Sequence, residues 1–330
     1  MARQSLLTLF LLALGFACAN SAWGAALSDR LASALARAAL PVLQVFDPQI
    51  MRNGVELRSP AGWAIRVSAV CDGHGLVIAL SAAGLLLRIG WRKWFWGIMA
   101  IQAFNLGRII ALGLALAKAP TVFGLLHDGV FPLATIALLA LWLLDWREAG
   151  LLLGLALPLY ALWLPLADEL ALPFVALANA VLALLPLPEL GQIAERGLGW
   201  SMGSQLLAEE TATGASLYLA PLRPADFLLA LPLLAAAMIL LRRSKPLFIA
   251  VPSLFAALLC GAITAVWGLA SAHAPATLLT PDGMGGWLAT PFTPPKMAAE
   301  ALALVQNTLV HFNLLLLPLL IAAGRRPMPR

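Results

Sequence analysis

The chain has 330 residues, 62% of them hydrophobic and only 11% charged, with a mean hydropathy of +0.90. A soluble domain carries roughly 25% charged residues, so there is too little polar surface here to cover a water-exposed globular protein. The net charge of +5 comes from Lys and Arg in short connections, not from a basic face with aromatic platforms, and this excludes a nucleic-acid partner.

Apolar runs long enough to cross a hydrocarbon core of about 30 Å recur along the chain. Only helices and closed barrels satisfy their backbone groups in lipid, and Leu/Ala runs without alternation select helices. The expected fold is therefore all-α, a polytopic membrane bundle of about eight transmembrane helices.

In chain order, residues 1–26 have one early Arg, an apolar run and then small residues. That pattern fits a first transmembrane helix and also a cleavable signal peptide with A-x-A at Ala17–Ala19. Either leaves the following chain outside the cytoplasm. The later basic connections are Arg88, Arg92 and Lys93; Arg147; Arg242, Arg243 and Lys245; and Arg325, Arg326 and Arg330. Placing all four inside gives spans near 4–26, 68–88, 94–117, 130–146, 150–167, 225–241, 246–270 and 299–323. Trp91, Trp94, Trp96, Trp142 and Trp146 then gather at the inner interface as an aromatic belt. The run 171–187 is apolar enough to span but would reverse the later connections, so a re-entrant or interfacial piece after Asp168-Glu169 is expected. Residues 188–224 and 271–297 become extracytoplasmic loops. Three regions result: a first segment 1–26, a membrane core 27–149 and a C-terminal membrane region 150–330.

The three cysteines, Cys18, Cys71 and Cys260, form no disulfide framework and no C-x-x-C metal spacing. Cys18 and Cys260 lie in apolar runs and read as small buried hydrophobes. Cys71 differs, because it stands in VSAVCDGHGLVIAL (67–80) at the mouth of an apolar run. Gly73 and Gly75 permit a tight turn and Asp72 suits an N-cap. A helix N-terminus there would favour the thiolate, the nucleophilic form.

The next span holds AFNLGRIIAL, with Asn105 and Arg108 at i and i+3 on one helix face. An arginine near mid-span is costly without a partner or water and is a functional candidate by default. LLHDGVFP follows, with His127 and Asp128 at the approach to a third span. Thiolate, imidazole and guanidinium on consecutive spans are the parts of a cysteine acyl-transfer site: nucleophile, acid/base and oxyanion stabiliser.

The order C-x-G, then N-x-x-R within the next span, then His at the head of the following one resembles the exosortase/archaeosortase membrane cysteine transpeptidases. The resemblance covers about residues 60–146. It implies Cys71 as nucleophile, Arg108 as substrate or oxyanion clamp and His127 as proton shuttle, with Asn105, Asp72 and Asp128 in support. It also implies cleavage of C-terminal sorting tails, with a Pro-Glu-Pro-like motif, a transmembrane helix and a basic end, from exported proteins. The place of action would be the outer face of the bacterial inner membrane. Asp72 stands where the family usually has a small Ser, which sets a negative charge beside the thiol. Membrane lipid is the other expected partner.

Two rival readings exist. GWSMG (Gly199–Gly203) matches the G-x-S-x-G of serine hydrolases, with His273 or His311 as base, but that motif needs a strand-turn-helix setting. A non-enzymatic transporter or scaffold could use Arg108 and Asp168-Glu169 as contacts, yet repeat symmetry is absent. The sequence holds no metal cluster, phosphate loop or nucleotide fingerprint, so no cofactor or metal is expected.

Overall fold

The structure, a computed structural model, describes residues 2–67, 73–196, 199–211, 214–241, 247–273, 276–281 and 287–313. Cys71 and Asp72 lie outside the described residues, as do Arg242, Arg243, Lys245, Arg325, Arg326 and Arg330. The chain divides into two compact units, with the boundary between Leu153 and Gly154.

The first unit opens with α1 (Ala2–Asn20) and α2 (Ala22–Gln44), two helices bent by 77° at Ser21. Ser21 makes this corner: its Oγ accepts the Gly24 N–H at 3.2 Å and donates to the Cys18 carbonyl at 2.6 Å. α2 is amphipathic, burying Ala32, Leu35, Ala36, Ala39 and Leu43 while Asp29, Arg30 and Arg37 are exposed. Three short antiparallel strands follow, β1 (Met51–Asn53), β2 (Glu56–Arg58) and β3 (Ala64–Arg66), in the order β1-β2-β3. Ile50, Leu57 and Val67 of this segment close over the buried face of α2, and Ile109 of the fourth helix joins the same core.

Next come α3 (His74–Leu87), α4 (Trp91–Lys118), α5 (Pro120–Gly124), a π-helical turn (Leu125–Val130) and α6 (Phe131–Leu143). α3 ends on Arg88, which takes the left-handed conformation (φ 51°) and reverses the chain into α4. Close packing of α3, α4 and α6 depends on Gly97, where a Cβ would stand 2.6 Å from Trp142 and 2.7 Å from Leu80. Trp142 donates its Nε1–H to the Lys93 carbonyl at 2.8 Å, and Trp94 donates to Ser81 Oγ at 3.1 Å. Trp91, Trp96 and Trp146 instead face outward, with Arg92 over the Trp91 ring and Arg147 over the Trp146 ring.

α7 (Trp146–Leu182) carries the chain into the second unit and runs unbroken through Pro158, Pro165 and Pro173. This corrects the re-entrant piece expected at 171–187, because residues 171–182 are the end of the same helix. Asp168 does not break it; the carboxylate lies on the helix surface and pairs with Arg223 at 3.3 Å. At 1.5 Å per residue its 37 residues reach about 55 Å, well beyond a hydrocarbon core of about 30 Å.

The expected loops 188–224 and 271–297 are largely strands, which add sheet to a chain that otherwise fits the expected mainly helical fold. β4 (Leu190–Arg196), β5 (Gly199–Thr211), β6 (Gly214–Pro221), β7 (Ala276–Pro281) and β8 (Trp287–Phe292) form one antiparallel sheet. Its order is β4-β5-β7-β8, with β6 also on β5. Between β6 and β7 lie α8 (Pro224–Phe227), α9 (Leu231–Leu241) and α10 (Leu247–Ala272), and α11 (Lys296–His311) follows β8. Met202, Leu206 and Leu278 of the sheet pack with Val175 and Ala178 of α7 and Val266 of α10. Asn179 clamps α7 to β4, bonding both the N–H and the C=O of Ile193 at 2.8 and 2.9 Å.

Among the described residues, four helical stretches are long and apolar enough to cross a membrane: Trp91–Lys118, Pro120–Leu143, Trp146–Leu182 and Leu247–Ala272. The bent pair α1/α2 raises the number to five, and His74–Leu87 and Pro224–Leu240 are shorter apolar helices. The protein is a mainly helical membrane protein, with two β-sheets among the described residues.

Candidate active site

The length of α3 sets the depth of the site. Its 14 residues give about 21 Å of helix, half the roughly 42 Å of the 28-residue α4 against which it packs. The two helices start together at the Arg88 reversal, so the N-terminus of α3 stands about halfway along α4. Within the expected span 68–88 the described helix runs from His74 to Leu87, and residues 68–72, with Cys71, lie outside the described residues.

Gly73 is the contact. It is buried and left-handed (φ 80°, ψ 5°), a conformation that other residues adopt only with strain. A Cβ there would stand 3.3 Å from both Gln102 Nε2 and Asn105 Nδ2. Two carboxamides of α4 therefore flank the peptide that leads back, two residues on, to Cys71. Asn105 is almost fully enclosed, at 2% exposure. Arg108 follows one turn further along α4; it is half-buried and makes no hydrogen bond or ion pair among the described residues. Ile109 and Leu106 beside it anchor the core under α2 and the β1–β3 sheet, so that small cap stands over this part of α4.

α6 brings the third element. The rings of Phe104 and Phe131 meet edge to face at 6.1 Å, which fixes the start of α6 opposite Asn105. His127 lies four residues before Phe131, in the π-helical turn, and Arg108 lies four residues after Phe104. The half-buried His127 ring stacks on Phe123 at 5.5 Å with 16° between planes. Asp128 occupies the same turn. The imidazole nearest Cys71 in sequence, His74, is turned to α1, where its ring meets Phe16 edge-on at 6.4 Å.

Gln102 was missed by sequence reasoning, which began the polar stripe at Asn105. The signal was present: Gln102, Asn105 and Arg108 recur every three residues in an otherwise apolar run.

The serine motif fares differently. Ser201 sits inside β5, buried, with strand rather than helix after it, so no nucleophile elbow forms. His273 stacks on Tyr218 at 4.5 Å, and His311 Nδ1 lies 2.8 Å from the Asn307 carbonyl of its own helix. Among the described residues no group of three His, Cys, Asp or Glu is placed to hold a metal ion.

Comparison with protein-family models, curated proteins and solved structures finds no match. The roles of these residues rest on their placement and chemistry.

Proposed function

We propose that the chain is a membrane cysteine peptidase or transpeptidase of the exosortase/archaeosortase type. It would cut C-terminal sorting tails from exported proteins on the outer side of the bacterial inner membrane. The observation that carries this reading is the seat of Gly73 against Gln102 and Asn105, with Arg108 one turn on. A tight turn two residues after a cysteine is held beside the polar stripe of an apolar helix. The transporter reading has no comparable support.

The basic connections face the cytoplasm in this reading. α3 and Pro224–Leu240 serve as short crossings, which with the long helices, the bent pair and the run 299–323 make the expected eight.

The reaction divides into two acyl transfers. The Cys71 thiolate attacks the scissile carbonyl carbon, and the oxygen takes the negative charge, facing the Arg108 guanidinium. Collapse expels the tail amine, which takes a proton from the His127 imidazolium, and leaves a thioester on Cys71. A second nucleophile, water or an amine, gives its proton to His127 and attacks the thioester. The thiolate leaves, and the cycle closes. A planar guanidinium suits an oxyanion better than a compact ammonium.

The test is an exported, tagged reporter with such a tail, expressed beside the protein in membranes. Cys71→Ala and Cys71→Ser should both leave the tail uncut. Arg108→Lys and His127→Ala should slow cutting by about 10²–10³, the usual loss for one electrostatic or proton-transfer contact. Normal processing by Cys71→Ala would end the cysteine reading.

A further inference from the structure

Of the three polar residues on the α4 stripe, the reading above leaves Gln102 without a role. One end of its carboxamide faces Gly73, at 3.3 Å from where a Cβ would be. The other end, Oε1, is closed off from solvent and has no hydrogen-bond partner among the described residues. A buried acceptor without a donor is unfavourable and rare in native proteins, so its retention calls for an explanation. Glutamine neither titrates nor attacks carbonyls. What it offers is an uncharged acceptor and donor against Gly73, whose Cα is two residues of chain, and so at most about 7 Å, from that of Cys71.

An extended peptide is the ligand that matches. Its backbone presents N–H and C=O groups in alternation, and an N–H brought into this apolar setting needs an acceptor. A neutral carboxamide supplies one without adding charge beside a thiolate and Arg108. We propose that Gln102 binds the main chain of the tail next to the cut bond. Its Oε1 accepts a substrate backbone N–H and so orients the scissile carbonyl toward Cys71. The proposal rests on the cysteine reading and deepens it. The site would recognise an unwound stretch of the tail by its backbone, because within a helix most N–H groups are already bonded.

The experiment uses the full chain in lipid nanodiscs and a synthetic peptide with a Pro-Glu-Pro motif, an apolar helix and a basic end. kcat and KM are measured for the wild type, Gln102→Met, Gln102→Glu and Cys71→Ala. A peptide series replaces single backbone N–H groups by ester oxygen at bonds flanking the cut one. Gln102→Met keeps the side-chain size and removes the acceptor; it should lower kcat/KM roughly tenfold, and Gln102→Glu, which keeps an acceptor, should lose less. One ester position should cost the wild type about the same factor and cost Gln102→Met nothing more, the coupling expected of two groups in contact. Ester effects of equal size in both enzymes at every position would overturn the role of Gln102 even if the variant were poorly folded. The same holds if Gln102→Met matches the wild type. A dead Cys71→Ala with such additive esters would leave the cysteine reading standing without this proposal. A Cys71→Ala that still cuts, or a wild type that leaves the peptide whole, would remove both.

Discussion

The two units differ in how polar residues of apolar helices are used. In the second unit several bond to a group on another element. Tyr160 donates to the Leu229 carbonyl at 2.6 Å, Ser253 to Asn313 Oδ1 at 2.6 Å, Thr264 to Gln306 Oε1 at 2.7 Å and Trp267 to Glu189 at 2.8 Å. Asn179 spends both ends of its amide on Ile193. In the first unit the stripe on α4 holds an amide oxygen and a guanidinium with no such partner among the described residues. These groups of the second unit hold helices and strands together; the Gln102 oxygen and the Arg108 guanidinium of α4 do not. Hydropathy does not separate these uses, since both kinds stand in equally apolar runs.

Substitutions can break or sharpen that contrast. The largest effect is expected at Gly73→Ala, which adds left-handed strain of roughly 1–2 kcal/mol and pushes on both amides. Reporter processing should fall at least tenfold. Gly107→Ala, on the same helix as the amides but with open space around its Cβ, should leave processing unchanged. Equal activity in the two variants would mean that the seat of Gly73 does not serve the site.

Asn179→Ala comes next. It strands the N–H and C=O of Ile193 and should lower thermal stability by about 1–3 kcal/mol. Tail cutting by the protein that remains folded should keep its KM. A raised KM with unchanged stability would place this residue in a site and erase the contrast.

Thr264→Val should show the smallest effect. One hydrogen bond between α10 and α11 is lost, and such bonds between membrane helices average about 0.6 kcal/mol. Detergent unfolding curves would detect it, with no change in processing.

Composition and apolar runs were enough for the membrane class and for two of the long helices. The span expected at 94–117 lies within Trp91–Lys118, and 246–270 nearly coincides with Leu247–Ala272. The strands were hidden for a physical reason. β5 pairs with β7 through Leu206 and Leu278, more than seventy residues apart, and no local pattern announces such a pairing. α7 was cut short because a further crossing would have reversed the later basic connections and Asp168-Glu169 read as a break, whereas Arg223 gives Asp168 a partner on the helix surface. Of the candidate residues, Asn105 and Arg108 stood out at helical spacing in an apolar run, and His127 at the approach to the next one. The depth of the site was not, because it depends on where α3 begins, and that is settled by the fit of Gly73 to α4. Gln102 escaped notice because one uncharged residue lowers the hydropathy of a long run very little.

The π-helical turn at Leu125–Val130 has a further consequence for how this segment can change in length. Its wide turn holds one residue more than an α-helix would over the same rise. Removing a single residue from it restores the tighter winding while the flanking helices stay in phase. Such a deletion at Leu125 or Leu126 would leave the spacing from His127 to Phe131 intact, and would cut the spacing from Phe123 to the imidazole it now stacks upon from four residues to three. The platform beneath the histidine is therefore tied to a count of residues as much as to their identity.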